Sequence, residues 1–108
     1  MPQDGANRDV QCEVVRWVAN EPFPGIVEAR LVDRRGRSFL FRDKAAIFSS
    51  EALSARSTFP ALGEMRCRVL GRRRDDQGGF LVIRLLDTDS DGVQEFEVRE
   101  AQLRAIPP

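Results

Sequence analysis

The acidic stretch DTDSDG, from Asp87 to Gly92, has the residue types and spacing of the first half of a calcium-binding loop. An EF-hand loop places oxygen ligands at positions 1, 3 and 5, glycine at 6 and a bidentate glutamate at 12. Asp87, Asp89 and Asp91 fit the ligand positions, but position 12 is Val98, which has no side-chain oxygen. The flanks LVIRLL and VQEFEV are strand-like, whereas an EF-hand needs helices. We therefore predict a turn between two strands, and Asp87, Asp89 and Asp91 form only a weak candidate metal site.

Few side chains in this sequence could perform catalysis. Histidine and tyrosine are absent, so the commonest general base is missing, and no nucleotide-binding or hydrolase motif occurs. The two cysteines, Cys12 and Cys67, lie in alternating apolar patterns that are typical of buried thiols. Two thiolates also fall short of the four ligands of a structural zinc site. We predict that the protein is not an enzyme and that it needs no cofactor.

The basic residues are almost all arginine, and they are unevenly distributed. The net charge is zero, yet residues 30–74 carry twelve basic and four acidic side chains, and residues 75–108 carry three basic and eight acidic ones. Arginine is suited to planar recognition of phosphate and carboxylate groups. Phe23, between two prolines in the turn EPFPG, is a possible exposed anchor beside this basic segment. The candidate binding face consists of Arg30, Arg34, Arg35, Arg37, Arg42, Arg72, Arg73, Arg74 and Phe23.

The elements that must position these residues are mostly strands. The apolar alternation slips after Val14, which indicates a bulge or bend in the first strand. Between the third and fourth strands, SSEALSAR (49–56) has a serine cap and good helix formers, so we predict one to two helical turns there. Gly- and Pro-rich segments, such as the predicted turn at 73–79, separate the strands. The predicted strands are 10–18, 26–33, 38–43, 64–72, 80–87 and 93–100.

This order predicts an all-β fold with one short helical segment, closed as a small antiparallel barrel of about six strands. A helix between the third and fourth strands favours an OB-like barrel. An SH3-like barrel is the second choice, and a meander sheet is the third. We expect a disordered tail at 1–9 and one barrel domain at 10–108. The N-terminus has no secretory signal, and no apolar run has the length of a membrane span, so we expect a cytoplasmic protein.

Part of the sequence, about residues 16–70, resembles a group of short, uncharacterised bacterial all-β proteins. The shared features are an early tryptophan, a Pro-Gly before an apolar residue and Val-Glu, and a Gly-Arg turn. An aromatic-Arg-Asp-Lys end follows, and then Pro-x-x-Gly before a cysteine-containing strand. These motifs are turns and core positions. The resemblance therefore implies a compact bacterial domain, and it implies no activity, ligand or site.

Two kinds of function fit these features. A small barrel without catalytic groups suits a protein-interaction module, in which the basic segment of one copy could also meet the acidic segment of another. The alternative is single-stranded nucleic-acid binding, which combines a basic groove with aromatic stacking platforms. Phe39 and Phe41 would have to be exposed for stacking, but their alternation places them in the core. Trp17 is likewise expected to be a core residue of the first strand.

Overall fold

The computed structural model describes residues 7–49, 52–85 and 92–105, and most of these residues lie in β-strands. Short connections join the strands, and a 3₁₀ turn at Glu100–Gln102 precedes the last of them. The elements are β1 (Asn7–Ala19), β2 (Ile26–Val32), β3 (Ser38–Lys44), α1 (Ala45–Phe48), β4 (Ala61–Asp75), β5 (Gly78–Leu85), β6 (Glu95–Val98) and β7 (Leu103–Ala105).

The strands form one antiparallel sheet in the order β3-β2-β1-β4-β5-β6. The long strand β1 organises this sheet, because residues 13–19 pair with β2 while residues 7–14 pair with β4. The last strand, β7, pairs with the beginning of β1 through Arg8 to Val10. The sheet curls into a half-barrel, which confirms the predicted all-β class and the small antiparallel barrel.

Alternating apolar residues from every long strand fill the concave side of the sheet, as the sequence predicts. The register of β1 against β2 shifts between Val14 and Arg16, so the predicted bulge is present. Burying a large aliphatic side chain contributes about 1.5–3 kcal/mol, so this layer supplies most of the driving force for folding. Its members include Val10, Val14, Val27, Ala29, Leu31, Phe41, Met65, Cys67, Leu81, Ile83, Leu85 and Val98.

Aromatic rings bring the two ends of the curled sheet together. The ring centroid of Phe96 on β6 lies 4.9 Å from that of Phe39 and 5.8 Å from that of Phe41, both in edge-to-face geometry. The main-chain N–H of Arg34, in the β2–β3 turn, also donates to the carbonyl of Glu97 at 2.8 Å. The first and last strands of the sheet order are therefore held against each other across the core.

The helix lies earlier in the chain than predicted. It occupies Ala45–Phe48, because Ala45 and Phe48 are spaced so that both turn into the core. In the predicted segment at 49–56, the described residues are not helical. Ser57 instead donates its main-chain N–H to the Ser54 carbonyl, and its hydroxyl accepts from the Ser54 N–H. Hydrogen bonds between a serine side chain and nearby main-chain groups compete with the hydrogen bonds of a helix.

Several strand boundaries also differ from the prediction, and β7 was not predicted; two of the differences show the physical reason. β1 begins at Asn7, so residues 7–9, predicted as part of the tail, pair with β4, and Arg8 and Asp9 also pair with β7. The predicted turn at 73–79 shrinks to Asp76 and Gln77, because β4 continues to Asp75 and pairs with the start of β5. These strand ends have polar side chains and therefore show no apolar alternation in the sequence, because their pairing depends on main-chain hydrogen bonds.

Two glycines of β4 give a matched test of the packing. A Cβ at Gly63 would lie 2.7 Å from the Phe48 carbonyl oxygen and 3.0 Å from Cγ2 of Val14, whereas a Cβ at Gly71 would meet nothing within 4 Å. We expect Gly63→Ala to lower the free energy of unfolding by about 1–3 kcal/mol through overpacking. Gly71→Ala should be neutral or slightly stabilising. Chemical denaturation measures both, and equal effects of the two substitutions would contradict this packing.

Candidate functional site

The β1–β2 turn holds Phe23 in solvent on a fixed support. Gly25 donates its main-chain N–H to the Pro22 carbonyl at 2.8 Å and has φ of +129°, a conformation that favours glycine. The Trp17 ring occupies the space that a Cβ at Gly25 would need. The indole N–H of Trp17 donates to the side chain of Asn20 at 2.9 Å. On this support the Phe23 side chain is 90% exposed.

The main chain also ties this turn to the helix. Ala45, the first residue of α1, donates its N–H to the Gly25 carbonyl at 2.9 Å. Trp17 packs against the core, as predicted. Phe23 is exposed, as predicted. The structure adds that its turn is braced by the Trp17 ring on one side and by the hydrogen bond from Ala45 on the other.

Arg34 is a structural residue at the opposite end of the barrel. Its side chain is only 6% exposed and forms ion pairs with Asp75 at 2.5 Å and with Glu97 at 3.0 Å. The guanidinium also lies over the ring of Phe80, 3.8 Å from the centroid. Burial alone would lower the pKa of Arg34, but its hydrogen bonds to Glu97 and Asp75 raise it. Arg34 therefore joins the β2–β3 turn to β4 and β6 and has little surface left for a ligand.

A buried aspartate shapes the same turn. Asp33 accepts hydrogen bonds from the main-chain N–H groups of Arg35 and Arg37, each at 2.9 Å, and from Nε of Arg37 at 2.9 Å. Burial would raise the pKa of Asp33, but the hydrogen bonds from Arg37 and Arg35 outweigh burial and lower it. Asp33 thus stays ionised and holds Arg37 against the protein.

Carboxylates also pair with three further candidate arginines. Arg72 forms a bidentate pair with Glu100 at 2.9 and 3.1 Å, which lowers the pKa of Glu100. Arg30 pairs with Glu13, and Arg42 pairs with Glu28 at 3.1 Å. Two of the twelve basic side chains in residues 30–74, Arg34 and Arg72, therefore pair with Asp75, Glu97 and Glu100 of the acidic segment.

The remaining three candidate arginines lie on the β2–β3 turn and near the end of β4. Arg35, Arg73 and Arg74 form no ion pair within the described parts of the chain. The β2–β3 turn and the β4–β5 hairpin, which carry them, are joined by Arg34 and Asp75. A cleft of about 430 Å³ lies beside this hairpin, and its lining includes Arg72, Arg73, Arg74, Phe80 and Glu100.

Phe39 and Phe41 face inward, as the alternation of β3 predicts. Phe41 is fully buried, and Phe39 is half-buried with its ring against Phe96. The inward orientation follows from the pairing with β2, in which Phe39 lies opposite Leu31 and Phe41 opposite Ala29. The arginines of β2 and β3 therefore stand on the outer face without an aromatic platform between them.

The two cysteines are free, buried core residues. Burial is the largest cause that raises the pKa of Cys12 to about 12 and the pKa of Cys67 to about 11. The thiolate is the reactive form of cysteine, so neither residue is set up as a nucleophile. Within residues 7–49, 52–85 and 92–105, no group of three metal-ligating side chains is assembled. The weak metal site at Asp87, Asp89 and Asp91 lies outside the described residues.

A groove of mixed polarity between α1 and the start of β4 is absent from the sequence prediction. Its volume is about 580 Å³, and its lining includes Ile47, Leu53 and Leu62 together with the charged side chains of Asp9, Glu64, Arg66 and Arg104. Leu62 is 84% exposed and Ile47 is 47% exposed. A signal for Leu62 was present in the sequence, because the alternation at Met65, Cys67 and Val69 extends backwards and turns residue 62 outward.

The chain matches no protein-family model, no curated protein and no solved structure. The resemblance to short bacterial all-β proteins therefore stays a prediction. Among the described residues, the helices do not have the combined length and apolar character of a membrane span.

The role of Arg34 can be tested against its exposed neighbour. We expect Arg34→Met to lower the melting temperature by several degrees, because it leaves Asp75 and Glu97 unpaired, while Arg35→Met should change it little.

Hydrogen bonds from Gln77 and Arg34 lower the pKa of Asp75. This contribution to stability is present above about pH 4 and is lost as the pH falls through the depressed pKa. The difference in melting temperature between Arg34→Met and the wild type should therefore become smaller below about pH 4. Equal melting temperatures for both variants would contradict the assignment.

Proposed function

We propose that this chain is a non-catalytic, cytosolic protein-interaction module built on an OB-like barrel. The observation that carries the proposal is the exposure of Phe23 on a braced turn. A phenylalanine that is 90% exposed does not stabilise the fold, whereas aromatic side chains dominate the binding energy of protein interfaces. Because hydrogen bonds and the Trp17 ring fix the turn in advance, a partner would have little conformational entropy to remove.

The strand pairing supports the OB-like assignment. β1 pairs with both β2 and β4, and the helix lies between β3 and β4. This is the arrangement expected of an OB-like barrel, with β6 and β7 as additional strands. Such barrels carry their binding residues on loops at the barrel ends and on the sheet face, which is where Phe23 and the arginines stand.

Photo-crosslinking tests the interaction function. Phe23 is replaced by p-benzoylphenylalanine, which keeps the aromatic ring, and the variant is irradiated in the source cells. We expect discrete adducts from position 23. The control is the same replacement at Gln77, which is exposed in the β4–β5 turn at the other end of the barrel. Absence of adducts, or the same adducts from position 77, would overturn the assignment of Phe23 as an anchor.

Single-stranded nucleic-acid binding is the second candidate function. The observation that favours it is that Arg35, Arg73 and Arg74, on segments joined by the Arg34–Asp75 ion pair, form no ion pair among the described residues. Without Phe39 and Phe41 as stacking platforms, binding would depend on phosphate contacts. It would therefore weaken steeply with salt and show little dependence on base sequence.

Fluorescence anisotropy with a labelled mixed-sequence oligonucleotide tests this candidate. We expect the double variant Arg73→Ser, Arg74→Ser to weaken binding and to flatten the slope of log K against log salt by about 1.4, since each phosphate contact on a single strand contributes about 0.7. The matched control is Arg56→Ser with Arg68→Ser, two exposed arginines away from the cleft. No binding at about 50 µM protein in low salt, or equal loss in the control, would remove this candidate.

A further inference from the structure

The strand β3 is one edge of the sheet, and its ladder with β2 is regular. The two strands pair from Val32–Ser38 to Ile26–Lys44 without a register shift, whereas the β1–β2 and β4–β5 pairings each contain at least one. Among the described residues, no strand pairs with the opposite side of β3. Bulges and prolines often block further pairing at natural sheet edges. β3 has neither, so this edge can accept another strand.

Two hydrogen bonds beyond the ends of the ladder show which main-chain groups face the open side. Asp33 donates its N–H to the Arg37 carbonyl, and Ala45 donates its N–H to the Gly25 carbonyl, both at 2.9 Å. Both pairs continue the register of the ladder, in which hydrogen-bonded and non-hydrogen-bonded pairs alternate. The odd-numbered residues of β3 therefore bond to β2. The main-chain groups that point to the open side belong to Ser38, Leu40 and Arg42.

These outward main-chain groups have no hydrogen-bond partner within the described parts of the chain. β6 lies at the other end of the sheet order, but the main-chain bond that links it to this hairpin is made by Arg34, in the turn, to Glu97. Ser38 and Arg42 are exposed, and Leu40 is 39% exposed. Solvent therefore reaches the open edge of β3.

The spacing of these groups selects the kind of partner. N–H donors and C=O acceptors that recur at every second residue are complementary to another extended peptide, which carries both groups in the same spacing. The sugar–phosphate backbone of a nucleic acid offers acceptors but no N–H donors. Side chains of an added strand would alternate between the inner face, beside the half-buried Phe39, and the outer face, beside Leu40 and Arg42. The matching peptide therefore alternates apolar and polar residues.

We propose that the open edge of β3 binds an extended peptide segment of a partner protein as an additional strand. This inference rests on the proposed interaction function and names the form that the partner takes. The Phe23 turn directly precedes β2, whose first residue, Ile26, lies opposite Lys44 at the end of β3. A peptide that follows β3 therefore reaches the Phe23 turn, where the exposed ring can contact its side chains.

The expected affinity is modest and insensitive to salt. One added strand buries less than the roughly 1,600 Å² of a standard stable complex, so we expect a dissociation constant in the micromolar to millimolar range. Main-chain hydrogen bonds join groups without net charge, so screening by salt should change the affinity little. This response is the opposite of the steep salt dependence expected for phosphate contacts.

Amide hydrogen exchange with a strand-forming peptide tests the proposal without any substitution. The probe is the heptapeptide acetyl-Glu-Val-Thr-Val-Thr-Val-Glu-amide. In the free protein, the amides of Leu40 and Arg42 should exchange faster than those of Phe39 and Phe41. With peptide at about four times its dissociation constant, exchange at Leu40 and Arg42 should slow about fivefold, while Phe39 and Phe41 change little. No slowing with about 5 mM peptide, or slowing confined to amides outside β3, would overturn the proposal.

A substitution at the open edge tests the role of the main chain. Leu40→Pro removes one outward N–H, and proline is tolerated on an edge strand where that group would face solvent. We expect Leu40→Pro to bind the labelled peptide at least about tenfold more weakly in fluorescence anisotropy. The matched control, Leu40→Val, keeps the N–H and should bind nearly as the wild type does. Circular dichroism confirms that both variants are folded, and equal affinities of the two variants would contradict strand addition.

The outcomes separate this inference from the general proposal. Adducts from position 23 that disappear with Leu40→Pro and persist with Leu40→Val support strand addition. If the same adducts persist with Leu40→Pro, the interaction function stands and strand addition at β3 is overturned. If position 23 forms no adducts but the peptide protects the β3 amides, strand addition stands and Phe23 is not the anchor.

Discussion

The ion pairs of Arg34 are the constraint on which the shape of this protein depends. One guanidinium joins the β2–β3 turn to the end of β4 through Asp75 and to β6 through Glu97. These segments are distant in sequence, and their connection holds the curled sheet so that the Phe96 ring reaches Phe39. The same contacts pair one arginine of the basic segment with two carboxylates of the acidic segment.

The surface that remains for a partner follows from these ion pairs. Five of the eight candidate arginines pair with carboxylates of the same chain, and Arg34 is also buried. At the other end of the barrel, Phe23 is 90% exposed on its braced turn. Aromatic side chains contribute much of the binding energy at protein interfaces. The molecule therefore has one end joined by ion pairs and another end that presents an exposed aromatic ring.

The sequence predicted what depends on local alternation and could not predict what depends on register. The buried face of β2, with Val27, Ala29 and Leu31, and the bulge after Val14 follow directly from side-chain spacing. The position of the helix was wrong, because the serines of SSEALSAR resemble a cap but bond locally in a turn. The partners of Arg34 could not be predicted, since they come from strands whose pairing the sequence does not reveal. The exposed Leu62 was predictable, had the alternation of β4 been extended backwards.

The central claim is that the turn carrying Phe23 is rigid before any partner binds. Native-state amide hydrogen exchange tests it most directly, because the N–H groups of Gly25 and Ala45 make the two hydrogen bonds that fix the turn. The account predicts that both amides exchange at least about 100-fold more slowly than in an unstructured chain, as strand amides do. Exchange of both amides within about tenfold of the unstructured rate would contradict it, because Phe23 would then stand on a mobile loop.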